Sequence, residues 1–378
     1  MLVGFVGWRG MVGSVLINRM FAEKDFDFFD ARFFSTSNVG GKTPERLSFI
    51  GNKSLHDAYC LDSLSDCDVL LSCQGAEYTK HIYPKLRNSG WNGYFIDASK
   101  ALRMEKDSVI ALDPINDELI RYSLNNGIKN FCGGNCTVSC LLMAVGSLFK
   151  KDLVEWLFSS TYQAASGAGA NHIRELLLQM GTLNDCSKTL LNDPARGILE
   201  IDKKVLDTQK SISTQQKKFF GVPIAGSLIP WIDKDLKDGT SLEEWKGFVE
   251  TNKILGLVDE KKLVPIEYNC VRVGSFRCHS QSLMIKLREN IALNDINQII
   301  ANGNEWVKVI PNDKKNSENF LSPLEVSGTL SIHIGRIRKL AIGPEFISAF
   351  TTGDQLLWGA AEPLRRMLKI LVEGKLGA

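Results

Sequence analysis

Residues 2–6, Leu-Val-Gly-Phe-Val, form a short apolar run that leads directly into Gly7-Trp8-Arg9-Gly10-Met11-Val12-Gly13. The apolar positions that follow, Val12, Val15, Leu16 and Met20, share one helical face. No other feature restricts the fold as strongly. A strand, a glycine turn and a helix in that order open a βαβ unit, in which the helix N-terminus and its free N–H groups face an anion. The spacing is G-x-x-G-x-x-G, not the commoner G-x-G-x-x-G, so the position after a first strand is what supports dinucleotide binding.

Further units of the same kind follow. Segments 69–73, 94–96 and 109–112 read as strands ending at Gln74-Gly75, Asp97 and Asp113-Pro114, with a helical pattern over 78–89. The alternation predicts an α/β fold with a mainly parallel, doubly wound sheet whose polar strand ends face a ligand crevice. A second strand near 31–34 runs into Ser35-Thr36-Ser37, where NAD-binding folds usually place a carboxylate for the ribose hydroxyl. Hydroxyl donors together with Arg9 suit a 2′-phosphate, so the expected cofactor is NADP. Arg103 follows the strand end at Asp97.

The stretch Phe131-Cys132-Gly133-Gly134-Asn135-Cys136-Thr137-Val138-Ser139 is a second strand-to-helix turn, with Val138, Leu141, Leu142, Val145 and Leu148 as the apolar face of the helix. Asn135 is the expected N-cap. Cys136 then falls at the first helical position, where free N–H groups and the helix dipole favour a thiolate, a nucleophile toward acyl carbon. Nine cysteines, an odd number with no C-x-x-C pair, fit a reducing cytoplasm better than a disulfide framework. Cys132, Cys136 and Cys140 are spaced by four, but glycines interrupt them and no histidine is near, so no metal site is expected. The 45 basic and 43 acidic residues leave a net charge of +2, which argues against nucleic-acid or membrane-surface binding through bulk charge. With no apolar run near 18 residues and no basic leader, neither membrane insertion nor export is expected.

The second half has a different texture. Segment 161–170 leaves a strand through small residues, and a helix begins near His172. Residues 182–222 are polar, with 213–218 the expected mobile loop, and Glu243 and Lys246 lie three apart on one helical face. Arg272 and His279 are separated by an odd number of residues, so on one strand they would point apart unless Gly274 bends it. Strands are expected at 330–334 and 340–342. A closing helix is expected from 354, kinked at Pro363.

Gly7 to Gly13, Phe33-Phe34-Ser35-Thr36-Ser37, Gly133 to Ser139, Gln163-Ala164-Ala165-Ser166-Gly167, Arg272 through His279 and Gly353-Asp354-Gln355-Leu356-Leu357-Trp358-Gly359 together resemble the bacterial aspartate-semialdehyde dehydrogenases. The resemblance runs through nearly the whole chain. It implies reductive dephosphorylation of aspartyl-4-phosphate by NADPH through a cysteine thioester, on the way to lysine, threonine, methionine and isoleucine. It further implies Cys136 as nucleophile, His279 as acid/base, Gln163, Glu243 and Arg272 as substrate ligands, and Arg103, Lys246 and Asn135 at the phosphate. Arg9, Gly10, Met11, Val12, Thr36, Ser37, Gln74, Ser166, Gly167 and Gln355 would surround the cofactor.

The architecture implied is a Rossmann-type domain over 1–134, completed by a C-terminal helix in 357–378, and an α+β catalytic and dimerisation domain over 135–356 that forms a homodimer. Ala168, Asn171 and Lys100 depart from the family pattern, where a third glycine, an arginine and no extra charge are usual. Two rival readings are an N-acetyl-glutamyl-phosphate reductase and a non-catalytic dinucleotide sensor. The second has no need of a helix-capped cysteine.

Overall fold

The computed structural model describes residues 1–376 and contains two seven-stranded sheets. The first takes β1 (Leu2–Val6), β2 (Asp30–Ser35), β3 (His56–Asp57), β4 (Val69–Ser72), β5 (Tyr94–Asp97), β6 (Ser108–Ala111) and β7 (Asn130–Gly133). Its order is β3-β2-β1-β4-β5-β7-β6, and every pairing is parallel. Neighbouring residues of one strand enter opposite cores: Phe33 and Leu71 pack with Leu16, Met20, Leu364 and Leu368, whereas Phe34 and Leu70 pack with Tyr78, Ile82 and Leu86. A strand that is apolar at consecutive positions is what a sheet covered by helices on both faces requires.

The winding reverses between β1 and β4, the place where such sheets bind ligands. Gly7 ends β1 there with φ at +74°, and a Cβ on it would lie 2.5 Å from the backbone of Cys73 and Gln74. Only glycine permits that approach.

The second sheet contains β8 (Val154–Gln163), β9 (Leu228–Ile229), β10 (Ile266–Val273), β11 (Cys278–Leu287), β12 (Val307–Val309), β13 (Ile332–Leu340) and β14 (Gly343–Asp354), in the order β12-β13-β14-β11-β8-β10-β9. Its inner face, with Leu157, Leu283, Ile285 and Ile347, packs on Leu141, Leu142 and Val145 of helix Cys136–Lys150. Its outer face carries Phe158 and Tyr162, each 38% exposed, beside Phe346 and Phe350.

Several local expectations change. Residues 182–222 are largely helical: Ala170–Leu191 is followed by Ile198–Lys210. The segment 213–218 is tied down, since Gln179 donates to the Gln216 carbonyl and Gln216 donates to Thr182, both at 2.9 Å. Arg272 and His279 do not share a bent strand. They stand on β10 and β11, which flank β8 on its two sides, so the strand-parity argument does not apply.

The segment 340–342 is the end of β13 and the turn before β14, with Leu340 paired to Gly343. The closing helix begins at Glu362, after a π-type turn over Leu357–Ala361. Pro363 is its second residue, directly after that turn, so it stands in the first turn of the helix, where a missing N–H costs little, and not in the interior of a helix running from 354. Buried Glu362 accepts from Arg19 at 2.9 Å and from Arg365 at 2.8 Å, which fastens this helix to the first sheet's layer. Residues 377–378 lie outside the described residues.

Candidate active site

Cys136 stands at the first position of its helix, and Asn135 caps that helix by accepting from the N–H of Thr137 at 2.9 Å and of Val138 at 3.2 Å. The cysteine Sγ lies 3.1 Å from His279 Nε2. The other ring nitrogen, Nδ1, accepts the backbone N–H of Ala164 at 3.0 Å, so the neutral ring carries its proton on Nε2, toward sulfur. The Ala164 carbonyl accepts from Arg272 Nη1 at 2.7 Å. One peptide segment at the end of β8 thus orients both side chains. Behind Cys136 the π-type turn closes in: a Cβ on Gly359 would sit 2.7 Å from the Cys136 Cβ.

Cys136 and Arg272 open into a cleft of about 620 Å3, lined also by Met11, Val12, Lys100, Arg103, Gln163, Asp233, Glu243, Lys246 and Gln355, with His279 buried behind the cysteine. Glu243 accepts from Asn135 Nδ2 at 2.9 Å, Gln163 Nε2 at 3.3 Å and Lys246 Nζ at 3.1 Å. Arg103 donates to the Gly133 carbonyl at 2.7 Å and to Glu250 at 3.1 Å, and Glu250 also accepts the Asn135 N–H at 2.6 Å. Asp233 pairs with both Lys100 and Lys246. Among the described residues no group of three or more His, Cys, Asp or Glu is placed to hold a metal ion.

Burial sets the charge states. It pushes the Cys136 thiol up to about 12, with the Glu243 carboxylate adding to the effect and Arg272, Arg103 and Lys246 opposing it. Burial here therefore opposes the pull of the helix start toward a thiolate. Burial, then the nearby Arg272 charge, hold His279 well below its ordinary value. Burial works to raise Glu243, but Lys246 and Asn135 keep it below the usual carboxylate range.

A second cleft of about 340 Å3 lies at the switch point, lined by Trp8, Arg9, Gly10, Ser35, Thr36, Ser37 and Gln74. Arg9 Nη2 donates to Ser35 Oγ at 2.9 Å and Ser37 Oγ at 3.1 Å, and Gln74 to Thr36 Oγ1 at 3.3 Å. Helix Met11–Ala22 begins at Gly10 without a side-chain cap and with no acidic residue in its first turn, so it fits a pyrophosphate. Ser166 accepts from Gln355 at 2.7 Å, and both line the large cleft with Gly167 and Met11, between the glycine turn and Cys136.

The sequence reading missed Glu250 and Asp233. Glu250 shares the face of Glu243 and Lys246 at helical spacing and was within reach of it, whereas Asp233 lies in an irregular loop and carried no signal.

Residues 2–123 match the NAD-binding domain of the semialdehyde dehydrogenases and residues 145–358 match their dimerisation domain. The chain is thus an oxidoreductase of the semialdehyde dehydrogenase class, with an NAD(P)-binding domain. Among solved structures, the aspartate semialdehyde dehydrogenase of Francisella tularensis is 47% identical, with 98% of this chain and 99% of that one covered and a TM-score of 0.92. The chain belongs to the aspartate-semialdehyde dehydrogenase family. The fold is shared with aspartate semialdehyde dehydrogenase II of Vibrio cholerae, solved in complex with ASA, at 21% identity, 98% coverage of both chains and a TM-score of 0.75. It is also shared with the Candida albicans enzyme, solved with NADP, at 18% identity, 98% coverage of both chains and a TM-score of 0.66. No helix among the described residues is long and apolar enough to cross a membrane.

Proposed function

We propose that this chain reduces L-aspartyl-4-phosphate to L-aspartate 4-semialdehyde with NADPH, releasing inorganic phosphate, and so feeds lysine, threonine, methionine and isoleucine synthesis in the cytoplasm. The observation that carries the reading is the 3.1 Å approach of Cys136 Sγ to His279 Nε2, with Cys136 lining a cleft that Met11, Val12 and Gln355 also line.

Cys136 attacks the acyl carbon, the bond to the phosphate oxygen breaks, and phosphate leaves with the thiol's proton, which leaves a thioester on Sγ. Bound NADPH would supply the hydride that reduces this carbon. The C–S bond then breaks, releasing the aldehyde and a thiolate that takes up a proton from water. His279 acts from the neutral ring: its Nε2–H donates to sulfur, then to the oxygen that gains negative charge. The acid/base role implied by the resemblance takes that form here.

The substrate's charges find complements. Arg272 holds the α-carboxylate, Glu243 the ammonium, and Arg103, Lys246 and Asn135 the phosphate, with Gln163 at the acyl group. Arg9, Gly10, Met11, Val12, Thr36, Ser37, Gln74, Ser166, Gly167 and Gln355 surround the cofactor, with Arg9 and the serine hydroxyls on the 2′-phosphate. Domain boundaries at 1–134 with 357–378, and at 135–356, follow this division of labour. The apolar outer face of the second sheet, with Phe158 and Tyr162, forms the homodimer contact.

The test is the reverse reaction, with aspartate semialdehyde, phosphate and NADP, read as NADPH formation. Turnover with N-acetyl-glutamate semialdehyde in its place, and none with aspartate semialdehyde, would establish the longer-substrate reductase. Binding of NADP without turnover on either would establish the sensor.

A further inference from the structure

Every cation facing the substrate cleft already has a partner. Arg272 is held by the Ala164 carbonyl, Arg103 by Gly133 and Glu250, and Lys246 by Glu243. Glu243 and Glu250 project from one helix and are buried at 6% and 2% exposure, each accepting from more than one fixed donor. Asp233 is different in kind. It sits on the loop between β9 and helix Leu242–Ile254, its side chain is 21% exposed, and its backbone is left-handed with φ at +70°, unusual for a residue other than glycine. A single oxygen, Oδ2, lies 3.0 Å from Lys100 Nζ and 2.5 Å from Lys246 Nζ, while Oδ1 accepts only the neighbouring Lys234 N–H at 2.9 Å. Lys100 follows β5 of the first sheet and Lys246 belongs to the second domain, so this carboxylate bridges the cleft.

An anionic oxygen held between two ammonium groups at the rim of a cleft is the arrangement a phosphate oxygen would need there. We propose that Asp233 is a built-in competitor for the phosphate position: it holds Lys100 and Lys246 while the cleft is empty, and the phosphoryl group of substrate, or free phosphate, displaces it. This deepens the proposed phosphorylating reaction and rests on it. Lys100, which departs from the family pattern, then becomes part of the phosphate's surroundings once Asp233 has left. Asp233 sets how much anion is needed to fill the cleft and leaves the positions of Cys136 and His279 untouched, since it contacts neither.

The experiment is steady-state kinetics of the reverse reaction with Asp233→Asn and Asp233→Ser, both of which remove the charge, and Asp233→Glu, which keeps it. The KM for phosphate should fall roughly three- to tenfold in Asn and Ser, as expected for release of a partly exposed ion pair, and should not fall in Glu. The semialdehyde KM should stay within about twofold in all three, and calorimetric titration of inorganic phosphate into the protein should show the same tightening. A phosphate KM that is unchanged or raised in Asn and Ser overturns the competitor role and makes Asp233 a support for Lys246 instead. If the unaltered protein shows no phosphate-dependent NADPH formation, the reaction itself is refuted, an outcome distinct from a phosphate dependence that Asp233 does not alter.

Discussion

The Nδ1 atom of His279 accepts the backbone N–H of Ala164 at 3.0 Å, which leaves the ring's proton on the nitrogen facing Cys136. An imidazolium could form only by giving up that bond. His279→Ala should therefore lower kcat by roughly 10²- to 10⁴-fold. His279→Gln, which can still donate an N–H, should recover about tenfold of the loss. Equal activity in the two variants would refute the donor role.

The same burial links His279 to stability. Folded, the ring is held well below its ordinary pKa, whereas in the unfolded chain it titrates at about 6.5. The unfolded state thus binds more protons as pH falls below about 6.5. This contribution is fully present above that value and declines below it, toward the depressed native pKa. His279→Gln should flatten the fall of the urea midpoint between about pH 6.5 and about pH 5, and an identical slope would show that the folded ring accepts a proton normally.

For Cys136, the thiol is pushed up to about 12 in the open site. Its alkylation by iodoacetamide, followed by mass spectrometry of the peptide, should keep rising above about pH 8, near where an ordinary thiol titrates, and not level off near neutrality. Cys136→Ser should retain less than about a thousandth of the activity. A neutral-pH plateau would mean that the helix start prevails over burial after all.

Arg9 bonds to Ser35 and Ser37 at 2.9 and 3.1 Å, which places a guanidinium among hydroxyls at the switch point. Arg9→Ala should lower kcat/KM for NADPH by roughly 10- to 100-fold and for NADH by much less. Equal losses with the two cofactors would remove Arg9 from 2′-phosphate recognition.

Glu362 is fully buried between Arg19 and Arg365. Glu362→Gln removes the buried charge that Arg19 and Arg365 share, leaving each with one more exposed carboxylate, Glu23 and Asp25, and should destabilise the fold by about 3–5 kcal/mol, measured by urea unfolding. A loss below about 1 kcal/mol would show that Asp25 and Glu23 suffice for those arginines.

What could be read from the chain alone was whatever depends on near neighbours. The turn at Gly7, the cap at Asn135 and the strand at 69–73 are local patterns, and they lie within a residue or two of their expected places. The relation of Arg272 to His279 was not legible, because β8 comes between them in space and strand order is not written in periodicity. Nor was the helix Ile198–Lys210, whose stretch of chain resembles a loop in its polar composition, although the helix before it was legible from near His172. Asp233 remained invisible for a third reason: its partners come from segments far away in the chain and its own backbone follows no repeat.

The turn at 357–361 that presses Gly359 against Cys136 also bears on how the molecule comes into being. Translation delivers the nucleophile early and the wall behind it only after every strand of both sheets. The helix that follows, Glu362–Leu376, packs Leu364 and Leu368 into the first sheet's core, so that core and the backing of the thiol are completed by one and the same stretch of chain. A protease that cut within that turn would part the thiol from its backing and the first sheet from one of its covering helices at a single stroke.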